Sequence, residues 1–442
     1  MLRQIHGQVD TAGAAVRMGE AQWPAPFAAG LEYNSPAHGP WNIVHMGMLI
    51  PGAHQIYVCA PNCNRGVVLT AAEMNALDRY STVFVEEHNF VDGDMEDLII
   101  EGVTDILHKL PRKPTCILLF TVCIHHFLGT DIPLVYRTLR ERFPDLPFVE
   151  CYMDPIRQKG DRSPDQFLRG AMYTLLEDRP ISQGSVSILG SDFPLEPSSD
   201  LVTLIQDSGR EVRDFPRCKT FEDYLSLSES FLNVYTYPNA KLGMTALEQR
   251  LGRPCLYLPA CFGYEEITAE LNTLADALGV SHIDPAPRIA ACEAALARAK
   301  AVVGDAPITL DYTFHPRPLG MARLLLEHGF QVERVYLDAF NPEERADYDW
   351  LQAHYPDLMV YATIQVKMRE MPRVYREKTL AIGQKAAYFT GSDYFVNLVQ
   401  GGGLHGFDGI CRLAELMIQG FETKQDGRTL IPRKGLGCAC CV

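Results

Sequence analysis

The stretch Ile50-Pro-Gly-Ala-His-Gln-Ile-Tyr-Val-Cys-Ala-Pro-Asn-Cys63 combines a short apolar run with two cysteines at the turn that ends it. The later stretch Thr121-Val-Cys-Ile-His-His-Phe-Leu-Gly-Thr-Asp131 places a third cysteine at the end of the next apolar run. Apolar runs that alternate with helical segments are typical of a parallel α/β sheet. The carboxyl ends of parallel strands lie side by side, so thiolates from separate turns can converge there. We therefore predict an α/β protein with a metal site on these cysteines.

The bulk composition limits the classes of partner. The chain has 442 residues, which favours two or three domains, and 47% of them are hydrophobic. Its net charge of −15 disfavours nucleic acid and anionic membranes as general partners. No apolar run reaches the roughly 18 residues of a membrane span, and the first residues show no signal-peptide pattern. We therefore expect a cytoplasmic protein with no nucleic-acid partner and no membrane span.

Cysteine is the residue type that points most directly to chemistry. The chain contains 13 cysteines, and in the cytosol clustered thiols indicate metal binding or catalysis. Cys59, Cys63 and Cys123 are the candidate metal ligands, because iron in iron–sulfur clusters is held by thiolates. Zinc is the alternative metal, although the set is spread over two strand–helix turns. Five other cysteines are expected to be small buried hydrophobes: Cys116, Cys218, Cys255, Cys292 and Cys411.

The alternation of strands and helices divides the chain into three α/β units of similar size. They are predicted at residues 41–182, 183–300 and 301–421, each as a Rossmann-like domain with a parallel sheet, and the first carries the candidate cysteines. Residues 1–40 are predicted to form an irregular arm, which could wrap around a partner. The tail 422–442 ends in three further thiols, Cys438, Cys440 and Cys441. These are either metal ligands or incidental thiols.

Three motifs, in this order, resemble those of the nitrogenase component 1 superfamily. That superfamily includes nitrogenase molybdenum–iron protein subunits, a related cofactor-assembly scaffold and dark-operative protochlorophyllide reductase subunits. Its Gly-Pro-x-Gly-Cys turn is matched by Ala60–Cys63, with Cys59 in place of the first glycine. Its Thr-x-Cys and Ile-Gly-Asp-Asp pair is matched by Thr121–Cys123 and Leu128–Asp131. Its His-Gly-Tyr-Asp-Gly segment is matched by His405–Gly409.

The departures from the family indicate what this chain does not bind. The segment that supplies the cysteine ligand of the nitrogenase iron–molybdenum cofactor aligns with Leu232–Asn239, where Thr236 stands in the cysteine's place. The cofactor's histidine ligand falls near Val396. The resemblance therefore implies no iron–molybdenum cofactor of the nitrogenase type. Ser35 stands in the place of the family's first cluster cysteine. The fourth cluster ligand is thus open among Ser35, an acidic residue and a residue of a partner chain.

The same comparison suggests groups for proton transfer and for substrate binding. The candidate catalytic residues are His125, His126, His405 and Tyr235. The two histidines after Cys123 could also tune a cluster through hydrogen bonds. The candidate substrate-cavity residues are Cys151, Thr236 and Asn239, with Tyr237 beside them. Each of these side chains has a competing interpretation as a packing or turn residue.

The resemblance implies two functions that the residues alone do not separate. One is the catalytic subunit of a nitrogenase-like reductase, in which a 4Fe-4S or larger P-cluster-like centre passes electrons to a small-molecule substrate. The other is a scaffold for assembling a cluster or metallocofactor, and a third interpretation is a structural zinc or ligand-binding α/β protein. The chain has no Gly-x-x-x-x-Gly-Lys-Ser/Thr run, so an iron-protein-like, ATP-dependent reductase would be a separate chain. We also expect an identical or related second subunit, in a homodimer or heterotetramer, and oxygen-sensitive anaerobic chemistry.

Overall fold

The computed structural model describes residues 13–37, 39, 42–154, 162–371, 373 and 378–431. It contains three parallel sheets joined by helices, so the predicted α/β class with several parallel-sheet domains is confirmed. We refer to the three predicted units as domains I, II and III. Their limits remain predictions, and α12 below runs across the limit between II and III. Cys438, Cys440 and Cys441 lie outside the described residues.

The strands are short and distributed over the whole chain. In order they are β1 (Ala15–Arg17), β2 (His54–Cys59), β3 (Tyr80–Phe84), β4 (Ile117–Val122), β5 (Phe148–Met153), β6 (Ser182–Leu189), β7 (Glu211–Asp214), β8 (Ser230–Tyr235), β9 (Cys255–Tyr257), β10 (Pro307–Asp311), β11 (Gln331–Tyr336), β12 (Met359–Tyr361), β13 (Leu380–Ile382) and β14 (Phe395–Val396).

The helices connect these strands and cover the sheets. In order they are α1 (Ile43–Met48), α2 (Pro61–Glu73), α3 (Glu87–Asp92), α4 (Met95–Lys109), α5 (Cys123–Leu128), α6 (Ile132–Arg142), α7 (Pro164–Tyr173), α8 (Asp200–Asp207), α9 (Phe221–Leu225), α10 (Lys241–Leu251), α11 (Tyr264–Leu278), α12 (Ala286–Val303), α13 (Pro318–Glu327), α14 (Arg345–His354), α15 (Gln384–Thr390) and α16 (Gly406–Glu422). None of the helices in the described ranges is long and apolar enough to cross a membrane.

Each sheet reverses its winding direction once. The order is β3-β2-β4-β5 in domain I and β7-β6-β8-β9 in domain II. In domain III it is β12-β11-β10-β13-β14, with β1 added antiparallel at the β12 edge. From β2 the chain continues to the neighbouring strand on one side, β3, and from β4 it continues to the neighbouring strand on the other side, β5. The pair β6 and β8 and the pair β10 and β13 flank the same kind of reversal. In open α/β sheets, ligands bind at the carboxyl ends of such strand pairs.

The central strands are apolar because both faces are covered. Every residue of β2 and β4 is buried. Ile56 and Val58 face a core shared with the helices α4 and α6, whereas Tyr57 and Cys59 face a second core on the other side. Strands that are buried on both faces read as continuous hydrophobic runs, as Ile117–Val122 does here.

The domains share their cores. The second core of domain I continues into domain II, and a larger core combines the sheets of domains II and III with helix α12. Helices α7 and α10 approach so closely that a Cβ atom on Gly243 would lie 2.9 Å from the Cα atom of Gly170. Glycine at this crossing therefore allows two backbones to touch where domains I and II meet.

The N-terminal arm differs from its prediction. Residues Ala15–Arg17 form β1, which pairs antiparallel with Met359–Tyr361 of the same chain. Trp23 packs its indole ring parallel to Phe340 with the ring centroids 5.7 Å apart. This part of the arm is thus an edge strand and an aromatic anchor on domain III. Three residues are too few to show strand alternation, and the strand forms because the neighbouring sheet edge pairs with it.

Candidate metal centre and interdomain cavity

The three candidate cysteines lie at the winding reversal of domain I. Strands β2 and β4 are neighbours, with Tyr57 opposite Phe120. Cys59 is the last residue of β2, Cys63 lies in the first turn of α2, and Cys123 is the first residue of α5. All three therefore come from the carboxyl ends of the two strands that flank the reversal. The sequence predicted this convergence from the strand ends alone.

The thiols are close enough to influence one another's ionisation. Burial raises the pKa of Cys59 to about 12, and the neighbouring Cys63 adds to that rise. Partial burial raises the pKa of Cys63, and Cys123 adds to that rise. Each of these thiols thus opposes the ionisation of a neighbour. A shared metal cation would offset that repulsion, because metal ligation requires thiolates.

The three cysteines differ in exposure. Cys59 is fully buried on the core face of the sheet, Cys123 is half-buried, and Cys63 is exposed. In this chain by itself, a metal group held by Cys63 and Cys123 would face solvent. The open side of the site is therefore the side on which a further ligand or a covering chain has room.

The spacing of the sulfurs bears on the choice of metal. One tetrahedral zinc ion holds its thiolates about 3.8 Å apart, because each Zn–S bond is about 2.3 Å long. Among the described residues, these cysteines do not form a group whose ligand atoms all lie within 4.8 Å of one another. A cluster of several metal ions bridges a wider spacing than one ion does. The donor set therefore fits an iron–sulfur cluster better than a single zinc ion.

His125 organises the turn that presents Cys123. Its imidazole is buried, and Nδ1 lies 3.1 Å from the backbone nitrogen of Val122 and 3.2 Å from the carbonyl oxygen of the same residue. Burial lowers the pKa of His125 and so favours the neutral ring. His126 is exposed on the next position of α5. The structure thus assigns His125 a positioning contact, and proton transfer by either histidine remains a prediction.

Several exposed apolar side chains lie on the elements next to the cysteine turns. They come from β3, α3 and α5, and we call this set the apolar rim: Phe84, Phe90, Val91, Phe127 and Leu128. The side chains of Phe127 and Val91 are 71% and 86% exposed. Large exposed apolar side chains that lie near one another often mark a protein–protein contact site. The rim therefore suggests a protein surface that covers this end of domain I.

A second candidate site lies where domains II and III meet. A small cavity of about 20 Å³ is lined by polar groups that follow the carboxyl ends of β6, β8 and β10, among them Asp192, Thr236, Tyr237 and His315, and by Gln400, which follows β14. A space of this size holds about one water molecule. Ligand pockets for larger molecules measure roughly 300 Å³ or more, so the cavity is too small for such a molecule in this structure.

A buried ion-pair network forms one wall of the cavity. The Arg169 guanidinium donates to Asp192 Oδ1 at 2.7 Å, to Asp165 Oδ1 at 2.9 Å and to the carbonyl oxygen of Gly190 at 2.6 Å. The guanidinium carbon also lies 4.6 Å from the centre of the Tyr237 ring. Burial raises the pKa of Asp192, and Arg169 opposes that rise.

The remaining groups of the cavity form a set of donors and acceptors. Asp192 Oδ2 is buried beside Gln400, whose amide nitrogen donates to the Tyr237 hydroxyl at 3.1 Å. Burial, with Arg317 and His405 nearby, lowers the pKa of His315 to about 3, so its imidazole is neutral. His315 Nδ1 accepts from the Arg317 N–H at 3.1 Å, which leaves the Nε2 proton as a donor. The cavity can therefore bind a small polar ligand and exchange protons with it.

The residues predicted for the cavity separate into two groups. Thr236 and Tyr237 line it. Tyr235, one residue earlier, points the other way and stacks on Tyr257 with the ring centroids 4.8 Å apart. Asn239 donates to Asp165 Oδ2 at 2.5 Å and so supports the ion-pair wall from behind. Tyr235 is the last residue of β8, whereas Thr236 and Tyr237 belong to the turn that follows it.

Three further candidates have contacts that the sequence did not predict. His405 is buried, its Nε2–H donates to the carbonyl oxygen of Leu258 at 3.2 Å, and burial lowers its pKa. Cys151 lies inside β5, which continues to Met153, and its side chain is fully buried in the core of domains I and II. Its expected place at a strand end in the cavity is therefore corrected to a core position. The Ser35 hydroxyl accepts from Lys385 Nζ at 2.9 Å in domain III.

Sequence reasoning missed Asp192, Arg169, His315 and Gln400. Asp192 and His315 each follow the carboxyl end of a central strand, so the rule that located Cys123 could have found them. Arg169 and Gln400 reach the cavity only through tertiary structure, since Gln400 lies 163 residues from its partner Tyr237. No local pattern marks them.

Comparisons with known proteins agree with this geometry. The family model for nitrogenase component 1 type oxidoreductases matches residues 45–419. Among solved structures, "Nitrogenase Cp1 at pH 6.5" has a TM-score of 0.66 and 14% sequence identity, covering 90% of this chain and 95% of its own. "Nitrogenase Cp1 at pH 5" has a TM-score of 0.57 and 13% identity, covering 93% of this chain and 94% of its own. At such identities the likeness shows the fold alone. No curated protein matches the sequence significantly.

Proposed function

The chain belongs to the nitrogenase component 1 type oxidoreductases, and we propose that it is the catalytic subunit of a nitrogenase-like reductase in the cytoplasm. In this proposal Cys59, Cys63 and Cys123 hold an iron–sulfur cluster. Electrons come from a separate ATP-dependent iron–sulfur reductase, and a small-molecule substrate is reduced in the cavity between domains II and III. The observation that carries the proposal is the convergence of three thiols at the winding reversal of domain I.

The roles of the protein's own residues follow from their positions. A cluster bound at the cysteines would supply one-electron transfer. Cys63 and Cys123 would anchor it at the solvent side, and Cys59 would hold it against the core of domain I. The buried His125 would keep the turn before Cys123 in shape through its contact with Val122. In the cavity, Asp192 and Tyr237 would hold and donate protons, and His315 would donate a hydrogen bond to the substrate.

The cavity does not favour a cofactor of the iron–molybdenum type. The residue that faces it at the end of β8 is Thr236, whose hydroxyl is a hard and weak ligand for iron in a cluster. Val396 is a buried apolar residue of β14. The proposal therefore assigns the cavity to the substrate alone.

Partner chains would cover the cysteine end of domain I. The apolar rim and the exposed Cys63 support a second subunit, identical or related, at this end. The reductase would dock near residues 60–66 and 125–131, since it must bring its own cluster close. The sequence has no phosphate-binding loop of its own, so ATP would be hydrolysed by the partner.

The first test is elemental analysis of protein purified anaerobically. We expect iron and acid-labile sulfide, and their loss in Cys63→Ala and Cys123→Ala, because each substitution opens a metal coordination position. Cys116→Ala is the matched control. Cys116 is fully buried and directly precedes β4, so it lies at the end of that strand opposite Cys123. Near-stoichiometric zinc without sulfide, or loss of iron in Cys116→Ala, would contradict the ligand assignment.

The second test separates a catalytic subunit from an assembly scaffold. With the ATP-dependent reductase present, a catalytic subunit consumes electrons in proportion to ATP, and consumption stops when ATP is withheld. A scaffold instead releases a cluster or cofactor to an acceptor protein. Full-rate reduction with a simple chemical reductant, without partner or ATP, would overturn the proposed electron route.

A further inference from the structure

A second group of metal-ligating side chains lies away from the cysteine turns, at the edge of domain II. Cys261 follows β9, and Glu266 and Glu270 lie in the first two turns of α11. The thiol sulfur and one carboxylate oxygen from each glutamate all lie within 4.8 Å of one another. Residues four apart on a helix share a face, so the Glu-x-x-x-Glu pair and the preceding cysteine point at one place.

The inner part of this group holds one unsatisfied oxygen. Cys261 is buried, and its thiol is within hydrogen-bonding reach of the Glu270 carboxyl. One oxygen of that carboxyl, Oε2, is inaccessible to solvent and has no hydrogen-bond partner of its own among the described residues. A buried carboxylate oxygen without a donor is costly, and a bound cation would satisfy it.

The nearby cation does not fill the position. Arg317 donates to Glu266 Oε1 at 2.7 Å and to the carbonyl oxygen of Glu343 at 3.0 Å. Its guanidinium therefore fixes the outer glutamate and bridges to domain III, but it forms no hydrogen bond with the buried oxygen of Glu270. Glu266 and Glu270 thus both lie near one arginine that forms its ion pair with Glu266, and the second carboxyl favours a further positive charge.

We propose that Cys261, Glu266 and Glu270 bind a divalent transition metal of the zinc class. Binding forms one metal–sulfur and two metal–oxygen bonds, and the thiol proton leaves to solvent as the metal–sulfur bond forms. A water molecule completes a tetrahedral set, as in zinc sites with three protein ligands. A thiolate ligand excludes magnesium and calcium as the preferred ions.

The position of the site gives the metal a structural consequence. Ala260 and Pro316 line the cavity between domains II and III, and they directly precede Cys261 and Arg317 in the chain. A metal that fixes Cys261 and Glu266 would therefore hold this wall of the cavity through the ion pair of Glu266 with Arg317. This inference does not rest on the proposed cluster, because it uses none of its cysteines.

The test uses the full chain, equilibrated with zinc chloride, dialysed and analysed for zinc, iron and sulfide. We expect about one equivalent of zinc per chain that is lost in Cys261→Ser and in Glu270→Gln. Cys255→Ser and Glu265→Gln are matched controls, since Cys255 is a half-buried thiol of β9, the strand that precedes Cys261, and Glu265 is the exposed neighbour of Glu266. X-ray absorption at the zinc edge should show one sulfur at about 2.3 Å with oxygen ligands.

The outcomes separate this site from the cysteine centre. Zinc that survives both Cys261→Ser and Glu270→Gln, or zinc with an all-oxygen shell, overturns the inference. Two chemically different substitutions are used so that misfolding of one, checked by circular dichroism, leaves the other as the test. Absence of iron and sulfide, with zinc still lost in these two variants, would refute the proposed function and leave the zinc site standing.

Discussion

Removal of the Arg169 guanidinium should destabilise the protein more than removal of any exposed arginine. The Arg169 side chain is 4% exposed, and that of its partner Asp192 is 2% exposed. We choose Arg169→Met, which keeps the apolar part of the side chain and removes the charge. The variant leaves a buried carboxylate facing no cation and leaves the carbonyl oxygen of Gly190 without its donor.

The size of the effect follows from burial. Breaking a buried ion pair by removing one partner costs about 3–5 kcal/mol. We expect the lower part of that range, about 3 kcal/mol, because Asp165 is partly exposed and Asp192 can bind a proton. Burial already raises the pKa of Asp192, and loss of Arg169 raises it further. In the folded variant Asp192 therefore keeps its proton to a higher pH. The loss of stability relative to wild type grows as the pH rises above the wild-type pKa of Asp192, and it is smaller below that pKa.

The assay is equilibrium urea denaturation followed by circular dichroism at two pH values. Arg142→Met is the matched control, because Arg142 pairs with Glu101 on the surface with side-chain exposures of 38% and 64%, where ion pairs are worth about 1 kcal/mol or less. The double variant Arg169→Met/Asp192→Asn should recover about half of the loss, since it removes the unpaired charge. A free energy of unfolding for Arg169→Met within about 0.5 kcal/mol of wild type at both pH values would refute the reasoning.

Three further predictions follow from the same structure. Phe127→Glu should weaken assembly in sedimentation or light scattering by placing a charge in the apolar rim, whereas Leu31→Glu, an equally exposed leucine outside the rim, should not. Burial lowers the pKa of His54 to about 4 against about 6.5 in the unfolded chain, so stability should fall by up to about 3 kcal/mol as the pH drops from 6.5 to 4. His54→Gln should flatten that slope in denaturation curves, and an unchanged slope would contradict the assignment. The isolated chain should show no ATP hydrolysis in a phosphate-release assay, and activity there would place a nucleotide site on this chain.

The elements that sequence reasoning located are those whose signal is local. The apolar runs that end at the cysteine turns are observed as β2 (His54–Cys59) and β4 (Ile117–Val122). Both are short runs bounded by clear breaks. The cysteine convergence was predictable because parallel strands bring their carboxyl ends to one edge whatever their order. The family resemblance, now confirmed by the match over residues 45–419, rested on these same turns.

The errors come from signals that were misjudged or not local. Helix α11 was not predicted, although Ile267, Leu271 and Leu278 repeat at helical spacing and are buried. Cys151 was assigned to a strand end because the boundary of β5 was set two residues too early, and boundaries are the least reliable part of such assignments. The cavity wall could not be read at all, because Arg169 meets Asp192 only when helix α7 packs against the end of β6.

The two candidate sites are joined by one packed core. Cys59 at the end of β2 and Tyr235 at the end of β8 belong to the same buried cluster, which also contains Leu189 of β6. Well-packed interiors transmit displacement because they have few voids. A change at the cysteine turns, such as a docked partner or a bound cluster, would therefore act on the strand ends that carry Thr236 and Asp192 into the cavity.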